Sequence, residues 1–349
     1  MLNRLRSLAG AFGARFGWNW IGFALGLGIV GVSLYVLSHL LQDVAPSRVL
    51  AAARATAPRS IASAVFFIAC AYGTLTLYDF FALRVIGANH VPYRIAVLAS
   101  FASYAIGHNV GATAFSGGAV RLRIYSYFGL GVIDVAKICF LTGLTFWIGN
   151  LVVLGSGMAY RPEVSSRILQ LSPGMVRAIG IVALVVLSAY IVWVWRKPRS
   201  FGRDGWHVRL PSGLSTLIQV AIGLADLTFS SLAMYSLVPS VPGDDFVTVA
   251  IACVSATLLG FASHAPGSLG VFDAAMLVAL PDVGKAELVA ALIIYRVLYF
   301  MIPFVIALLL MAYWELTLFL GDVWRRGGKP GIGKRETCSL HRSKRRPLT

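Results

Sequence analysis

Ionisable side chains are rare inside the apolar stretches of this sequence, so the few that occur there carry the functional argument. Asp79, Asp226 and Arg296 each fall within an otherwise apolar run. A charge at membrane depth is costly, which makes each a functional candidate with a partner to be named. Asp226 and Arg296 have opposite charge and could pair with one another; Asp79, near the end of its run, also fits an interfacial place. Arg121 and Arg123 follow Gly117-Gly118 in the segment AVRLRIY. Guanidinium groups bind phosphate through two parallel hydrogen bonds, and glycine lets backbone N–H groups approach an anion. The competing reading is two interface arginines reaching lipid head groups. His108 could sense or move protons, while Asn109 offers only amide hydrogen bonds. For both, the alternative is a polar plug that satisfies exposed backbone. Asp134 and Lys137 are spaced i, i+3 and can neutralise each other on one helix face.

Two interrupted stretches must position these groups. The first, SFASYAIGHNVGATAFSGGAVRLRIYSY, runs from Ser100 to Tyr127. Glycine costs about 1 kcal/mol against alanine in a helix, so Gly107, Gly111, Gly117 and Gly118 predict an interruption. In a bilayer, interrupted backbone survives only where protein or trapped water satisfies its polar groups. The second stretch, SHAPGSLGVFD from Ser263 to Asp273, places Pro266, Gly267 and Gly270 at the break and Asp273 just after it. Both contain Phe-Ala-Ser, at Phe101 and at Phe261, followed by a histidine, His108 or His264.

The chain around them is that of a polytopic membrane protein. Its 349 residues are 58% hydrophobic and only 13% charged, with a mean hydropathy of +0.78, too apolar for a soluble globular protein. Apolar runs near the 20 or so residues that cross the hydrocarbon lie at about Trp18–Gln42, Ser60–Leu83, Gly131–Leu154, Gly174–Trp195, Gly213–Val238, Phe246–Ser263 and Leu288–Leu320. The last is long enough to kink at Pro303. The expected fold is all-α: about six full spans plus two re-entrant broken-helix hairpins, nominally about eight spans. The halves, about 18–195 and 213–320, would be inverted repeats joined by a basic loop, a plan common among secondary transporters.

The net charge of +16 sits mostly in loops and tails, where topology explains it, so nucleic acid is not the expected partner. Residues 1–17, the loop carrying Arg196, Lys197, Arg199, Arg203 and Arg209, and a disordered tail over 321–349 are expected on the cytoplasmic side. The loop with Arg48, Arg54 and Arg59 would then lie outside, against the positive-inside tendency. Cysteines 70, 139, 253 and 338 form no CxxC or metal-ligand spacing. GKPGIGK, from Gly328 to Lys334, fits a phosphate-loop pattern, but Arg335 replaces its Ser or Thr. No metal, cofactor or hydrolase signature is present.

Tyr78-Asp79, SYAIGHNVG, SGGAVRLRIYSYFGL, SHAPGSLGVFD and YRVLYFMIP from Tyr295 resemble the N-terminal transmembrane domain of the lysylphosphatidylglycerol synthase/flippase family (MprF), over roughly residues 15–320. The resemblance implies a bacterial inner-membrane protein, with both termini cytoplasmic, that moves aminoacylated phosphatidylglycerol to the outer leaflet. That lowers negative surface charge and protects against cationic antimicrobial peptides. Arg121, Arg123 and Arg296, with Gly117 and Gly118, would hold the phosphodiester. Asp79, Asp226 or Asp273 would receive the aminoacyl ammonium, beside His108 and Asn109.

Two departures stand out: Asp273 where the family has Glu, and Ser268 where it has Gly. The family's soluble aminoacyl-transfer domain is absent from these residues, so a translocator and not an enzyme is expected, with no cofactor. A separate aminoacyl-lipid synthase and a second copy of the chain are possible partners. The basic end fits either a stand-alone protein or a truncated longer one. Related stand-alone membrane proteins share the fold. The alternative function is a proton-coupled transporter of a small solute; a membrane-embedded lipid enzyme ranks below it.

Overall fold

The computed structural model describes residues 42, 45–110, 113–196, 200–203, 206–209, 213–239, 245–263 and 266–327. The span expected over 18–42, apart from its last residue, lies outside them, as do Gly111, His264 and the tail after 327. Five described helices are long and apolar enough to cross a membrane: Pro58–Val85, Val132–Tyr160, Pro173–Trp195, Gly213–Leu237 and Lys285–Leu318.

In chain order the helices are α1 (Pro46–Ala55), α2 (Pro58–Val85), α3 (Tyr93–Val110), α4 (Thr113–Tyr125), α5 (Val132–Tyr160), α6 (Pro162–Leu169), α7 (Pro173–Arg196), α8 (Gly213–Leu237), α9 (Phe246–Ala262), α10 (Val271–Ala279), α11 (Lys285–Arg296) and α12 (Ile302–Gly327). Proline opens α1, α2 and α6, where its missing N–H has no helical partner to lose. A π-helical turn, Val297–Met301, joins α11 to α12. Of the described residues, those through Leu308 form one compact unit and those from Leu309 a second, helical through Gly327.

Among the described residues the expected apolar runs from Ser60 onward are helical within a few residues of their ends, and three elements are new. The loop with Arg48 and Arg54 contains α1. The connection after α5 contains α6. The basic loop departs from the all-α expectation: Ser200–Arg203 pairs antiparallel with Trp206–Arg209, in register Phe201 to Val208. The residues between these strands are Asp204-Gly205, a dipeptide strongly favoured in two-residue hairpin turns.

Helix α7 leaves most of its apolar surface uncovered: 17% of its most apolar 18 residues are buried, against 44% for α5 and for α8, and Val182, Val185 and Val186 are exposed. Helices α5 and α8 instead meet backbone to backbone. A Cβ on Gly149 would stand 2.9 Å from the Gly223 Cα, the close approach that small residues permit in membrane helix packing. One turn earlier on both helices, Gln219 Nε2 donates to Thr145 Oγ1 at 2.8 Å. Gly149→Leu should therefore separate the helices and cost about 1–3 kcal/mol of overpacking in reversible unfolding in detergent. Gly143→Leu, where a Cβ meets nothing within 4 Å, should be close to neutral.

Two helix pairs correspond to the interrupted stretches. At about 1.5 Å per residue, α3 rises about 27 Å and α4 about 20 Å; α9 rises about 26 Å and α10 about 14 Å. Against a hydrocarbon core of about 30 Å, α4 and α10 are too short to cross. The first interruption is narrower than the glycines suggest. Gly107 is inside α3, and Gly117 and Gly118 are inside α4. Their N–H groups are engaged in helix geometry, so these two glycines do not offer an anion open backbone. They permit close packing: a Cβ on Gly117 would lie 3.0 Å from Ser103 O, and one on Gly118 3.5 Å from Cys139 Sγ.

Candidate functional site

Helix α2 carries Asp79 into the protein at 0% exposure, and α4 brings Arg121 to it at 3%. Arg121 Nε donates to Asp79 Oδ2 at 2.9 Å and Oδ1 at 3.2 Å, and Nη2 donates to Oδ1 at 2.7 Å. The Tyr125 hydroxyl donates to Oδ2 at 2.9 Å. Arg121 Cζ lies 4.8 Å from the centre of the Tyr104 ring on α3. The arginine and tyrosine share one face of α4 because they are four residues apart. Gly117 precedes Arg121 by the same interval, and its missing side chain leaves room for the Ser103 carbonyl and Arg121 Nη1, 3.4 Å from where a Cβ would stand. Arg123, two residues on, points elsewhere: it is exposed, with Cζ 5.3 Å from the centre of the Tyr127 ring.

The second break is stitched by Arg296, the last residue of α11. Its Nε donates to Asp273 Oδ1 at 3.0 Å and its Nη2 to Oδ2 at 2.6 Å. Its Nη1 donates to Gly267 O at 3.0 Å and its Nη2 to Ser268 O at 3.4 Å. Asp273 also caps α10, accepting from Gly270 N at 3.1 Å. The Asp226–Arg296 pairing suggested by charge is therefore corrected: Arg296 is engaged by the carboxylate at the start of α10 and by carbonyls of the turn before it. Gly267 and Gly270 have φ of +60° and +78°, and Ser268 has φ +53°. That conformation is strained for a residue with a Cβ, the physical reason a glycine is expected at 268.

The far end of this second hairpin is fixed by Asp245, the N-cap of α9. It accepts from Thr248 N at 3.0 Å and from Arg161 Nη1 at 3.0 Å. The Thr248 backbone bond, helped by its hydroxyl and by Arg161, holds the Asp245 carboxyl below its usual range. A lowered carboxyl stabilises the fold fully above its unfolded value, about 4, and loses that contribution as pH falls through the folded value. The thermal midpoint gap between wild type and Asp245→Asn should thus close on acidification below about pH 4.

Asp226 on α8 is buried at 5% exposure. Its Oδ2 accepts from the Tyr78 hydroxyl at 3.1 Å and its Oδ1 from Thr74 Oγ1 at 3.5 Å, both on α2. Among the described residues no cation lies within ion-pair distance of it. Asp134 and Lys137 do approach as expected, at 3.7 Å, and Asp134 caps α5. His108 sits in a column of rings: Phe272 to Tyr295 at 6.1 Å, Tyr295 to Tyr299 at 5.1 Å and Tyr299 to His108 at 6.4 Å, with interplanar angles of 9°, 11° and 13°. The column runs from α10 to α3, and thus from one hairpin to the other. Among the described residues His108 Nδ1 is buried without a hydrogen-bond partner.

The π turn between these rings has a local cause. Pro303 lacks the N–H that Tyr299 O would otherwise accept from, and the Tyr72 hydroxyl donates to it instead at 3.0 Å. Asn109 Nδ2 donates to the next carbonyl, Phe300 O, at 3.1 Å. The amide's observed role is thus the backbone-satisfying one.

Over 294 residues the chain is 29% identical to the uncharacterized protein slr0712 of Synechocystis sp., covering 82% of this chain and 91% of that one. Over 259 residues it is 27% identical to the inner membrane protein YbhN of Escherichia coli, covering 72% and 78%. No family model matches. Five apolar helices of spanning length and similarity to an inner membrane protein point the same way.

The chain is a polytopic membrane protein.

In a membrane protein, this arrangement of charge has a definite chemical meaning. Each hairpin is tied to a full span by one Arg–Asp pair, buried at Arg121 and partly buried at Arg296, and the pairs are mirrored: the arginine is on the hairpin at Arg121 and on the span at Arg296. Among the described residues Asp226 is a carboxylate hydrogen-bonded by hydroxyls alone. Residues outside the initial candidates complete the site, namely Tyr72, Thr74, Tyr78, Tyr104 and Tyr125. Tyr125 was legible in principle, four residues after Arg121; the others depend on which helices meet.

Proposed function

We propose that this membrane protein translocates an aminoacylated, anionic phospholipid, with aminoacyl-phosphatidylglycerol as the substrate class, from the inner to the outer leaflet of a bacterial inner membrane. The consequence would be a less negative surface and resistance to cationic antimicrobial peptides. The observation that carries the reading is Asp226, a buried carboxylate that faces hydroxyls and no described cation. It offers a place for an ammonium group.

A lipid bearing both a phosphodiester and an ammonium can replace an internal Arg–Asp pair charge for charge. The phosphate takes Arg121 or Arg296, and the ammonium takes Asp226 or, failing that, the freed aspartate. Opening either pair without such a ligand would strand a buried charge. In this proposal α3–α4 and α9–α10 are re-entrant arms of two inverted repeats, entering from opposite faces, with both termini cytoplasmic. The chain acts as a translocator and not as an enzyme.

The test is a proteoliposome assay with fluorescent lysyl- or alanyl-phosphatidylglycerol, following loss of inner-leaflet protection. Translocation selective for the aminoacylated lipid is the expected result. Movement of every phospholipid alike, or of none, would overturn it. A second reading, proton-coupled transport of a small solute, is favoured by His108 in the ring column, whose Nδ1 has no described hydrogen-bond partner. Uptake that depends on a pH gradient distinguishes it.

A further inference from the structure

A second polar region lies at the opposite end of α8 from the β-hairpin. A cleft of ≈ 1190 Å³ opens where α1, the start of α2, the end of α8 and the start of α11 come together. One face of α1 lines it: Arg48, Ala51, Ala52 and Ala55, the i, i+3, i+4, i+7 set of a single helical stripe. Three alanines in that stripe leave the space open beside Arg48. Arg59 enters from the first turn of α2 and Lys285 from the first residue of α11, against one carboxylate, Glu287. All three cations are exposed, and none forms an ion pair with a described residue.

Backbone dipoles add to this field. Helices α2 and α11 both begin at the cleft; Ala57, the N-cap of α2, supplies no side-chain cap, whereas at the start of α11 the Glu287 carboxylate folds back beside Gly284. The start of α2 therefore presents partial positive charge to the same space as two guanidinium groups and an ammonium, while Glu287 offsets that of α11. With the basic segment around 196–209 on the cytoplasmic side, α8 carries the cleft to the outer face. Arginines there run against the positive-inside tendency. A topological role does not account for Arg48 and Arg59; a ligand does.

We propose that this cleft is an anion site that binds a phosphate group at the outer membrane interface, separate from the Arg–Asp pairs. The forked geometry of two arginines suits phosphate oxygens, and the ends of three spanning helices place the cleft at head-group level. The phosphate belongs either to a phospholipid head group or to a free phosphate ester. The proposal does not depend on translocation.

The experiment is equilibrium binding to the full chain purified in detergent. The probes are dihexanoyl-phosphatidylglycerol, inorganic phosphate and, as a zwitterionic comparison, dihexanoyl-phosphatidylcholine. Wild type should bind at least one anionic probe, with affinity falling as salt screens the cations. Arg48→Gln with Arg59→Gln should weaken that binding by at least about tenfold, and Lys285→Gln should weaken it further. Arg54→Gln, on α1 but outside the cleft lining, should leave it unchanged. Dependence on these residues with phosphatidylglycerol alone assigns a lipid head group; dependence with inorganic phosphate assigns a free phosphate. Wild-type affinity in the triple variant, no anion binding by wild type, or an equal loss with Arg54→Gln would overturn the site. These substitutions are at exposed positions, so an unchanged gel-filtration profile separates lost binding from misfolding. None of these readouts tests lipid movement, so failure here leaves the translocation reading standing.

Discussion

Asp79→Ala should be among the most destabilising single substitutions in the chain. It removes the acceptor of three hydrogen bonds from Arg121 and one from Tyr125, leaving a guanidinium whose side chain is 4% exposed without a counter-charge. Breaking a buried pair by deleting one partner costs about 3–5 kcal/mol, most of it from the stranded charge rather than from the lost attraction. The ring of Tyr104 returns only a part of that, since a cation over an aromatic face contributes up to about 2 kcal/mol when desolvated. Reversible unfolding in detergent reads the loss directly. The double variant Asp79→Ala/Arg121→Met removes both charges and should recover most of it, so the coupling energy is large and of compensating sign. A loss below about 1 kcal/mol in Asp79→Ala, or a double variant worse than the single, would mean that water reaches Arg121 and that the pair is not closed.

The same pair marks the limit of what the sequence discloses. Apolar length is a local property, so the spans around Ser60–Leu83 and Gly213–Val238 are legible, and a charge inside such a run draws attention to Asp79, Asp226 and Arg296 wherever their partners lie. Partner choice is not local. Arg296 is 70 residues from Asp226 and 23 from Asp273, and its pairing with the latter follows from Gly267 and Gly270 turning the chain with positive φ. The approach of Gly149 to Gly223 likewise depends on how two helices cross, which neither helix encodes alone. Gly117 and Gly118 illustrate the reverse error: a glycine-rich stretch reads as a break, yet a helix retains them where a neighbouring backbone takes the room. The Tyr72 bond to Tyr299 O explains the π turn only once both helices are in place, although Pro303 signals the missing donor in advance.

Asp226→Asn should separate function from fold in a way that Asp79→Ala cannot. The substitution keeps the shape of the side chain and retains one oxygen to accept from Tyr78 or Thr74, while the new amide NH₂ loses the other acceptor. Because no described cation faces Asp226, neutralising it strands no charge, and the stability change should stay near the net value of one hydrogen bond, about 1 kcal/mol. Translocation of lysyl-phosphatidylglycerol in proteoliposomes should fall by at least about tenfold, since an ammonium crossing the protein interior then has no carboxylate to exchange water for, and one factor of ten corresponds to only about 1.4 kcal/mol. Asp226→Glu keeps the charge and should retain part of the rate. A normal rate in Asp226→Asn would remove the carboxylate from the transport path and leave Asp79 and Asp273 to receive the ammonium, each after its arginine is drawn away. That alternative predicts a different dependence: transport would then fall with Arg121→Gln or Arg296→Gln by more than stability does, because the exchange of partners itself would be the step that moves the lipid.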